Sequence, residues 1–482
     1  MFYRVIIVHV LLLARVTMKV FDNIALAAAQ IMIPEDGTDL NKWSVIACDQ
    51  YTSELDYWKE VEANVGDAPS TLRLILPEVY LGIENDEQIS ERLKKIAETA
   101  NSYIENNIWK TLGEGVILVD RATSLHPSRK GLVAAVDLEQ YSFEPGNKEK
   151  IRATEGTVLS RIPPRVRIRA NSPVELPHVM LLIDDPNDTV IGKAMDELKA
   201  KNSKPIYDTD LFGKSGHITG YFVNAQTDIF DEMTNALAEL LDRSEDGMLF
   251  AVGDGNHSLA SAKAHWDNIK DDLDIKERGD HPARFALVEI VNIHDKGLDF
   301  EPIHRVVFGM DKENLLKKAM EFFKDNDASI GTEKIEGAQN IVFVAEGCDD
   351  TVLRIKSAPH TLAVGSIQLF LDSLSSNTTL DGSGIEVDYI HGEDSVRSLA
   401  KNGNTGILLP DVRKDSFFET ISKEGVFPRK TFSMGEAFEK RFYLEAKMIK
   451  SFAGDHDEKI RLCHWCRTVR PCLRNATGPC RL

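Results

Sequence analysis

The nineteen residues from Met248 to Trp266, MLFAVGDGNHSLASAKAHW, read as a strand, a tight acidic turn and the start of a helix. Met248 to Val252 is a short apolar run of buried-strand type, and Leu259 to Trp266 is rich in alanine and other good helix formers. Between them, Gly253-Asp254-Gly255-Asn256-His257-Ser258 carries two glycines that let the backbone turn sharply and approach a ligand closely. Ser258 fits the N-cap of the following helix, which would leave the first helical N–H groups facing the turn as an anion site. Asp254 and His257 are the catalytic candidates here, since a carboxylate and an imidazole at an anion site can move a proton beside a phosphate. Gly253, Gly255, Asn256 and Ser258 are the ligand-binding candidates. The competing reading is a plain strand-to-helix connection with an Asx turn and an exposed histidine. A Walker loop is excluded, because no Gly-Lys-Ser/Thr follows.

The same texture extends outward in both directions. Ile89, Leu93, Ile96, Ala97, Ala100 and Ile104 fall at helical spacing, and Ile229 to Leu241 and Leu315 to Phe323 predict further amphipathic helices. Val116 to Val119, Leu132 to Val136, His178 to Ile183 and Phe285 to Val291 predict buried strands. Ile341 to Ala345 and Gly406 to Leu409 add two more, with helices near Ile367 to Leu374 and Asp394 to Ala400. The expected class is α/β, a mixed sheet with flanking helices.

At 482 residues the chain is long enough for two or three compact domains, and 43% hydrophobic with 28% charged is ordinary for a globular protein. Its 57 Lys+Arg against 76 Asp+Glu leave a formal net charge of -19, which opposes nonspecific binding to nucleic acid or anionic membrane. Any phosphate must be captured by local groups, so a nucleotide and a small-molecule substrate are the expected partners.

Both ends differ from the interior. Residues 1–17 carry an apolar run from Val5 to Ala14, too short to span a bilayer and without a clean cleavage site, so a misplaced start before Met18 is favoured over a secretion signal. Residues 457–482 hold Cys463, Cys466, Cys472 and Cys480 among arginines, and a misread or disordered tail is favoured over a zinc site. Cys48 and Cys348 lie far apart, which suits a reduced cytoplasmic protein. Between the ends, 18–150 forms an N-terminal α/β part, 151–310 a phosphate- or nucleotide-binding core and 311–456 a C-terminal α/β part. The turn at Pro145-Gly146-Asn147 and the stretch 310–335 mark these boundaries, or else are loops of one large domain.

Three further segments carry polar groups. Arg152-Ala153-Thr154-Glu155-Gly156-Thr157 is followed by Arg161, Arg165, Arg167 and Arg169, the densest arginine run in an acidic chain. Arg152, Thr157 and Arg161 are expected to clamp phosphate while Glu155 serves as base or metal ligand; alternating arginines on a salt-bridged strand pair are the alternative. His304-Arg305 follows the Phe285 strand, and Arg429 and Lys430 sit in a turn dense in cations and hydroxyls that could contact a nucleotide.

Taken in order, Trp43 to Ser53, Pro69-Ser70-Thr71, Arg152 to Thr157, Asp254-Gly255-Asn256-His257, His304-Arg305 and Pro428-Arg429-Lys430 resemble the bacterial and archaeal family called domain of unknown function 1015. The resemblance covers most of residues 18–450. The Asp-Gly-x-His turn is also similar to the Asp-Gly-His-His-Arg signature of free-serine kinases in the ParB/sulfiredoxin superfamily, which implies a ParB/sulfiredoxin-like element around this turn. Carried over by position, that resemblance makes Asp254 the acidic group near the transferred phosphoryl or its Mg2+, and His257 a phosphate ligand. Asn256 and Ser258 depart from the signature, so Arg152, Arg161 or Lys430 would supply the missing cation. The expected function is a nucleotide-dependent phosphotransferase using ATP or ADP with Mg2+ on a small hydroxyl metabolite, free L-serine first; the alternative is a noncatalytic nucleotide-binding regulator. Which residues hold the metal is left open.

Overall fold

The computed structural model describes residues 18–159, 162–376, 385–428 and 430–450. The N-terminal extension, the cysteine-rich tail, Arg161 and Arg429 lie outside these residues.

Up to Asn292 the chain lays down β1 (Lys19–Phe21), β2 (Leu26–Pro34), β3 (Val45–Ile46), β4 (Trp109–Ala122), β5 (Arg129–Asp137), β6 (Tyr141–Ser142), β7 (Ile151–Arg152), β8 (Val174–Glu175), β9 (Met180–Ile183), β10 (Tyr207–Asp210), β11 (His217–Asn224), β12 (Phe250–Asp254) and β13 (Phe285–Asn292). There follow β14 (Phe300–Phe308), β15 (Ala328–Gly331), β16 (Gln339–Val344), β17 (Thr351–Ile355), β18 (Glu386–His391), β19 (Thr405–Leu408) and β20 (Phe432–Met434), then β21 (Phe442–Tyr443) and β22 (Ala446–Met448). The helices of ten or more residues are α1 (Leu55–Val65), α2 (Asp86–Glu105), α3 (Ile162–Asn171), α4 (Ile191–Ala200), α5 (Asp228–Arg243), α6 (Asn256–Lys270), α7 (Lys312–Phe322) and α8 (Ala363–Ser376).

A thirteen-stranded mixed sheet runs β10-β11-β4-β2-β5-β13-β9-β12-β7-β6, with β1 and β22 added to β2, and β8 to β22. Most pairs are antiparallel, but β13 runs parallel to β9, and β7 parallel to both β12 and β6. Residues Pro145 to Asn147 lie in the loop between neighbouring strands β6 and β7 of this sheet. A seven-stranded sheet follows in the order β15-β17-β16-β19-β14-β18, with β20 also on β14.

The apolar runs that announce these strands are continuous because the first sheet is covered on both faces. Successive side chains alternate faces. Val116, Leu118, Leu132, Ala134 and Val136 pack with Met195, Phe230, Leu237 and Trp266 on one side. Ile117, Val119 and Val133 pack with Trp43, Trp58 and Tyr443 on the other. Helix α2 starts in a capping box between Asn85 and Gln88, and α5 is capped by the Thr227 hydroxyl. The arginine run from Arg165 forms neither a strand nor a strand pair: it is helix α3, with Pro163 and Pro164 in its first turn, where no intrahelical N–H is needed.

After the second sheet, residues 439–449 return to the first. There β22 pairs with β2 and β8, while β21 pairs with β3 in a separate two-stranded sheet. This segment brings charge into the core. Arg441 donates to Glu289 Oε2 at 3.0 Å and to Glu445, which also accepts from the Tyr207 hydroxyl. Arg441, Glu289 and Glu445 are 4%, 2% and 0% exposed, so water cannot replace any partner. Burial works against the guanidinium charge, but Glu445 and Glu289 outweigh it and hold the pKa above its ordinary value. Replacing Glu445 with Ala should cost about 3–5 kcal/mol, because it strips a buried charge of its partner. Urea denaturation checks this; a loss under about 1 kcal/mol would show that the network is solvated.

Candidate functional site

Strand β12 ends at Asp254 and α6 begins at Asn256, so the turn is tighter than the sequence suggests. The N-cap is Gly255, not Ser258. Gly255 has φ +83°, and its N–H donates to Asp254 Oδ1 at 2.9 Å. A Cβ there would stand 3.1 Å from Val179 Cα, and one on Gly253 would stand 2.7 Å from Met434 Cε. Both positions therefore favour glycine, the first for conformation and the second for space.

The side chains after Gly255 brace the neighbouring loop. Asn256 Oδ1 accepts from the Thr154 N–H at 3.1 Å, and its Nδ2 donates to Thr154 Oγ1 at 3.2 Å. His257 Nε2 accepts from the Val158 N–H at 3.2 Å. Ser258, in the first helical turn, places Oγ 2.7 Å from His178 Nε2. The ring's other nitrogen, Nδ1, lies 2.7 Å from the Tyr443 hydroxyl, which accepts from the Cys48 N–H at 3.2 Å. A hydrogen-bonded path thus runs from Ser258 through an imidazole to a buried phenol. Burial, reinforced by Cys48 and Asp49, pushes the Tyr443 pKa well above its ordinary value, and burial pushes the Cys48 thiol up to about 12. Near neutral pH both keep their protons.

The turn opens into a cavity of about 980 Å³, lined by Gly253 to Ala262 except Ala260, by Glu155 and by His178. That volume lies at the upper end of small-molecule sites. Its lining is richer in cations than the chain as a whole. Arg165, Arg167, Arg169, Lys430 and Lys440 face Asp49, Glu78, Glu155, Glu175 and Asp254, five against five. Three of these cations are engaged in ion pairs: Arg165 pairs with Glu78, Arg169 with Glu175, and Lys440 Nζ lies 3.0 Å from Asp254 Oδ2. Burial raises the Asp254 pKa, but Lys440, then His178 and the Gly255 N–H, more than offset it. Asp254 is held below the ordinary aspartate range and is ionised at neutral pH.

The sequence-predicted residues divide into two groups. Glu155, Gly253, Asp254, Gly255, Asn256, His257, Ser258 and Lys430 come together on the cavity. The Thr157 hydroxyl is buried without a hydrogen-bond partner among the described residues. Arg152 is elsewhere: it is 2% exposed and donates to the Asp246 carboxylate and, at 3.0 Å, to the Asp246 carbonyl, so it supports a loop rather than a phosphate. His304 and Arg305 are buried in β14. His304 Nδ1 accepts from the Leu409 N–H at 3.1 Å, and Arg305 donates to the Lys430 carbonyl at 3.2 Å, which fixes the turn bearing Lys430. His178, Glu175, Lys440 and Tyr443 had no local signal, since each belongs to a strand or turn remote in sequence.

A mixed α/β protein with a charged cleft at a strand-turn-helix is thus defined, and no helix among the described residues is long and apolar enough to cross a membrane. The chain belongs to the family described as Protein of unknown function (DUF1015), whose model matches residues 32–374. No curated protein matches the sequence. Among solved structures it is similar to SbnI with a C-terminal truncation from Staphylococcus aureus, at 13% identity and a TM-score of 0.35, over 71% of this chain and 97% of that one. It is also similar to a free serine kinase in complex with AMP, at 13% identity and a TM-score of 0.34, over 66% and 92%. A conserved hypothetical protein from Pyrococcus furiosus matches at 12% identity and a TM-score of 0.32, over 66% and 95%.

Helix α6 carries a pH dependence at a buried residue beyond the cleft lining. His265 on α6 is 5% exposed, and burial, with Arg169, Lys450 and His281 nearby, lowers its pKa to about 3, against a small opposing effect of Glu175. Its folded pKa lies below its unfolded one, so the unfolded chain binds the extra proton as pH falls below about 6.5. Stability should therefore drop on acidification with a slope of up to about 1.4 kcal/mol per pH unit from this residue. Urea midpoints from pH 7 to 4 should fall less steeply in His265→Gln; parallel curves would remove the assignment.

Proposed function

We propose that the protein is a nucleotide-dependent phosphotransferase that acts on a small hydroxyl metabolite, with free L-serine the first acceptor to test. The observation that carries the reading is the cavity of about 980 Å³ at the N-terminus of α6, where Asp254 and Ser258 face the Arg165, Arg167 and Arg169 helix. Phosphoryl transfer depends on positioning and charge neutralisation, and a helix N-terminus with convergent cations provides both. The likeness of the turn to the serine-kinase signature, a ParB/sulfiredoxin-like element, selects the acceptor.

In the reaction, the acceptor hydroxyl oxygen forms a bond to the terminal phosphorus of ATP or ADP while the bridging P–O bond breaks, and the hydroxyl proton passes to a base on the protein. Glu155 is assigned as that base, and His178 holds the Ser258 hydroxyl in place at the helix start. Asp254, ionised and held by Lys440, would meet a Mg2+-nucleotide together with Glu155; the metal would supply charge neutralisation on the phosphates. Arg165, Arg169 and Lys440 would exchange a carboxylate partner for a phosphate when the nucleotide enters, so each cation keeps an anionic partner throughout.

Incubated with Mg2+, ATP or ADP and L-serine, the full chain should yield phosphoserine by 31P NMR. Asp254→Asn should lower turnover about 100-fold or more. Glu155→Gln should lower kcat more than it weakens nucleotide binding, because a base acts mainly in the transition state. An unchanged rate with a lowered melting temperature in Glu155→Gln would make that residue scaffold. Tight nucleotide binding without transfer to any hydroxyl metabolite would replace the enzyme with a nucleotide-binding regulator.

A further inference from the structure

Away from the α6 turn, the second sheet brings one imidazole and two carboxylates to a single point. Glu301 lies in β14, His391 ends β18, and Glu436 follows β20 by two residues. The register sets this convergence: Ile303 lies opposite His391, and Glu301 lies opposite Ser433. The turn to Glu436 passes through Gly435 at φ +64°, whose N–H donates to the Asp299 carbonyl at 3.2 Å, and the Glu436 N–H donates to Glu439 Oε2 at 3.0 Å. Three backbone segments are therefore pinned before any ligand arrives. His391 Nε2 stands 2.7 Å from Glu301 Oε2 and 3.2 Å from Glu436 Oε1, and the three ligand atoms lie within 4.8 Å of one another.

As an ion-pair arrangement this is poorly balanced. Two carboxylates share one imidazole nitrogen, and among the described residues no Lys or Arg forms an ion pair with either of them. Like charges so close repel, and a divalent cation at the shared point would turn that repulsion into attraction for both. We propose that Glu301, His391 and Glu436 form a binding site for a first-row divalent transition-metal ion. The donor set selects the class. An imidazole nitrogen disfavours Ca2+ and Mg2+, which take oxygen ligands, and the absence of sulfur from the set disfavours Cu(I). Three protein ligands at exposures near 40% leave coordination positions open to water or an anion, as in sites of the Zn2+ and Mn2+ type. The proposal does not rest on phosphotransfer, since it involves neither the α6 turn nor a nucleotide.

The test uses Mn2+ and Co2+ on the full chain without nucleotide. Electron paramagnetic resonance titration should find one bound Mn2+ per chain, with affinity reduced at least ~10-fold in both Glu436→Gln and His391→Ala. Glu436→Gln preserves shape, so its circular dichroism and melting temperature should match the parent even if His391→Ala folds poorly. Co2+ should give ligand-field bands without a thiolate charge-transfer band, which separates this site from the cysteines beyond residue 450. Absence of bound Mn2+, equal affinity in parent and Glu436→Gln, or Co2+ bound only through thiolate would each overturn the site. Loss of serine phosphorylation with Mn2+ binding intact would overturn the enzyme reading and leave this one standing.

Discussion

The placement of Arg441 constrains the rest of the molecule. A guanidinium taken fully out of water needs carboxylates already in position, and the chain supplies them from β13 and from Glu445 in the link between β21 and β22. Meeting that requirement fixes where residues 439–449 cross the first sheet. Lys440 is thereby delivered to Asp254, Tyr443 to His178, and Lys447 Nζ to Glu175 Oε1 at 3.1 Å. The same stretch of backbone that closes the core furnishes one wall of the cleft. Lys447 itself lies behind the cleft, where burial lowers its pKa to about 8 despite Glu175.

Much of the scaffold was legible in the sequence because the first sheet is buried on both faces. Leu132 to Val136 and Phe285 to Val291 need no polar alternation, so they stand out as uninterrupted apolar runs. The amphipathic helices at Asp86–Glu105 and Asp228–Arg243 are equally plain from their spacing. Among the elements that escaped were β3, β6, β7, β8 and β21, two residues each and too short to show any period, and also the longer β2, β11 and β14, whose runs mix small, polar and apolar residues. The segment Ile162–Asn171 is a different failure: Arg165, Arg167 and Arg169 alternate as on a strand, yet the chain is helical and two prolines at its start are the only local clue.

At the cleft, sequence reasoning found the turn and missed its surroundings. Asp254, Gly255 and His257 are contiguous, so their joint presence on the cavity follows from the strand-turn-helix alone. Lys440 lies 186 residues from Asp254, and His178 lies 80 from Ser258; nothing local couples them. The Ser258 error has the same root. Its hydroxyl had a tertiary partner in His178, while a left-handed Gly255 took over the cap with Asp254 accepting its N–H. Arg152 likewise looked available until Asp246 was placed beside it.

The late return of β21 and β22 has a consequence for biosynthesis. Glu289 precedes Arg441 by 152 residues, and Met32 pairs with Ala446. While the ribosome is still translating the second sheet, the nascent first sheet has Arg129 4.0 Å from Glu289 but lacks both the Arg441 guanidinium that hydrogen-bonds that carboxylate and strand β22. Its docking surface therefore stays open until β22 emerges. Completion of the first sheet thus waits on residues 441–448, and a messenger cut before codon 441 yields a chain whose defect lies in strands made long before the cut.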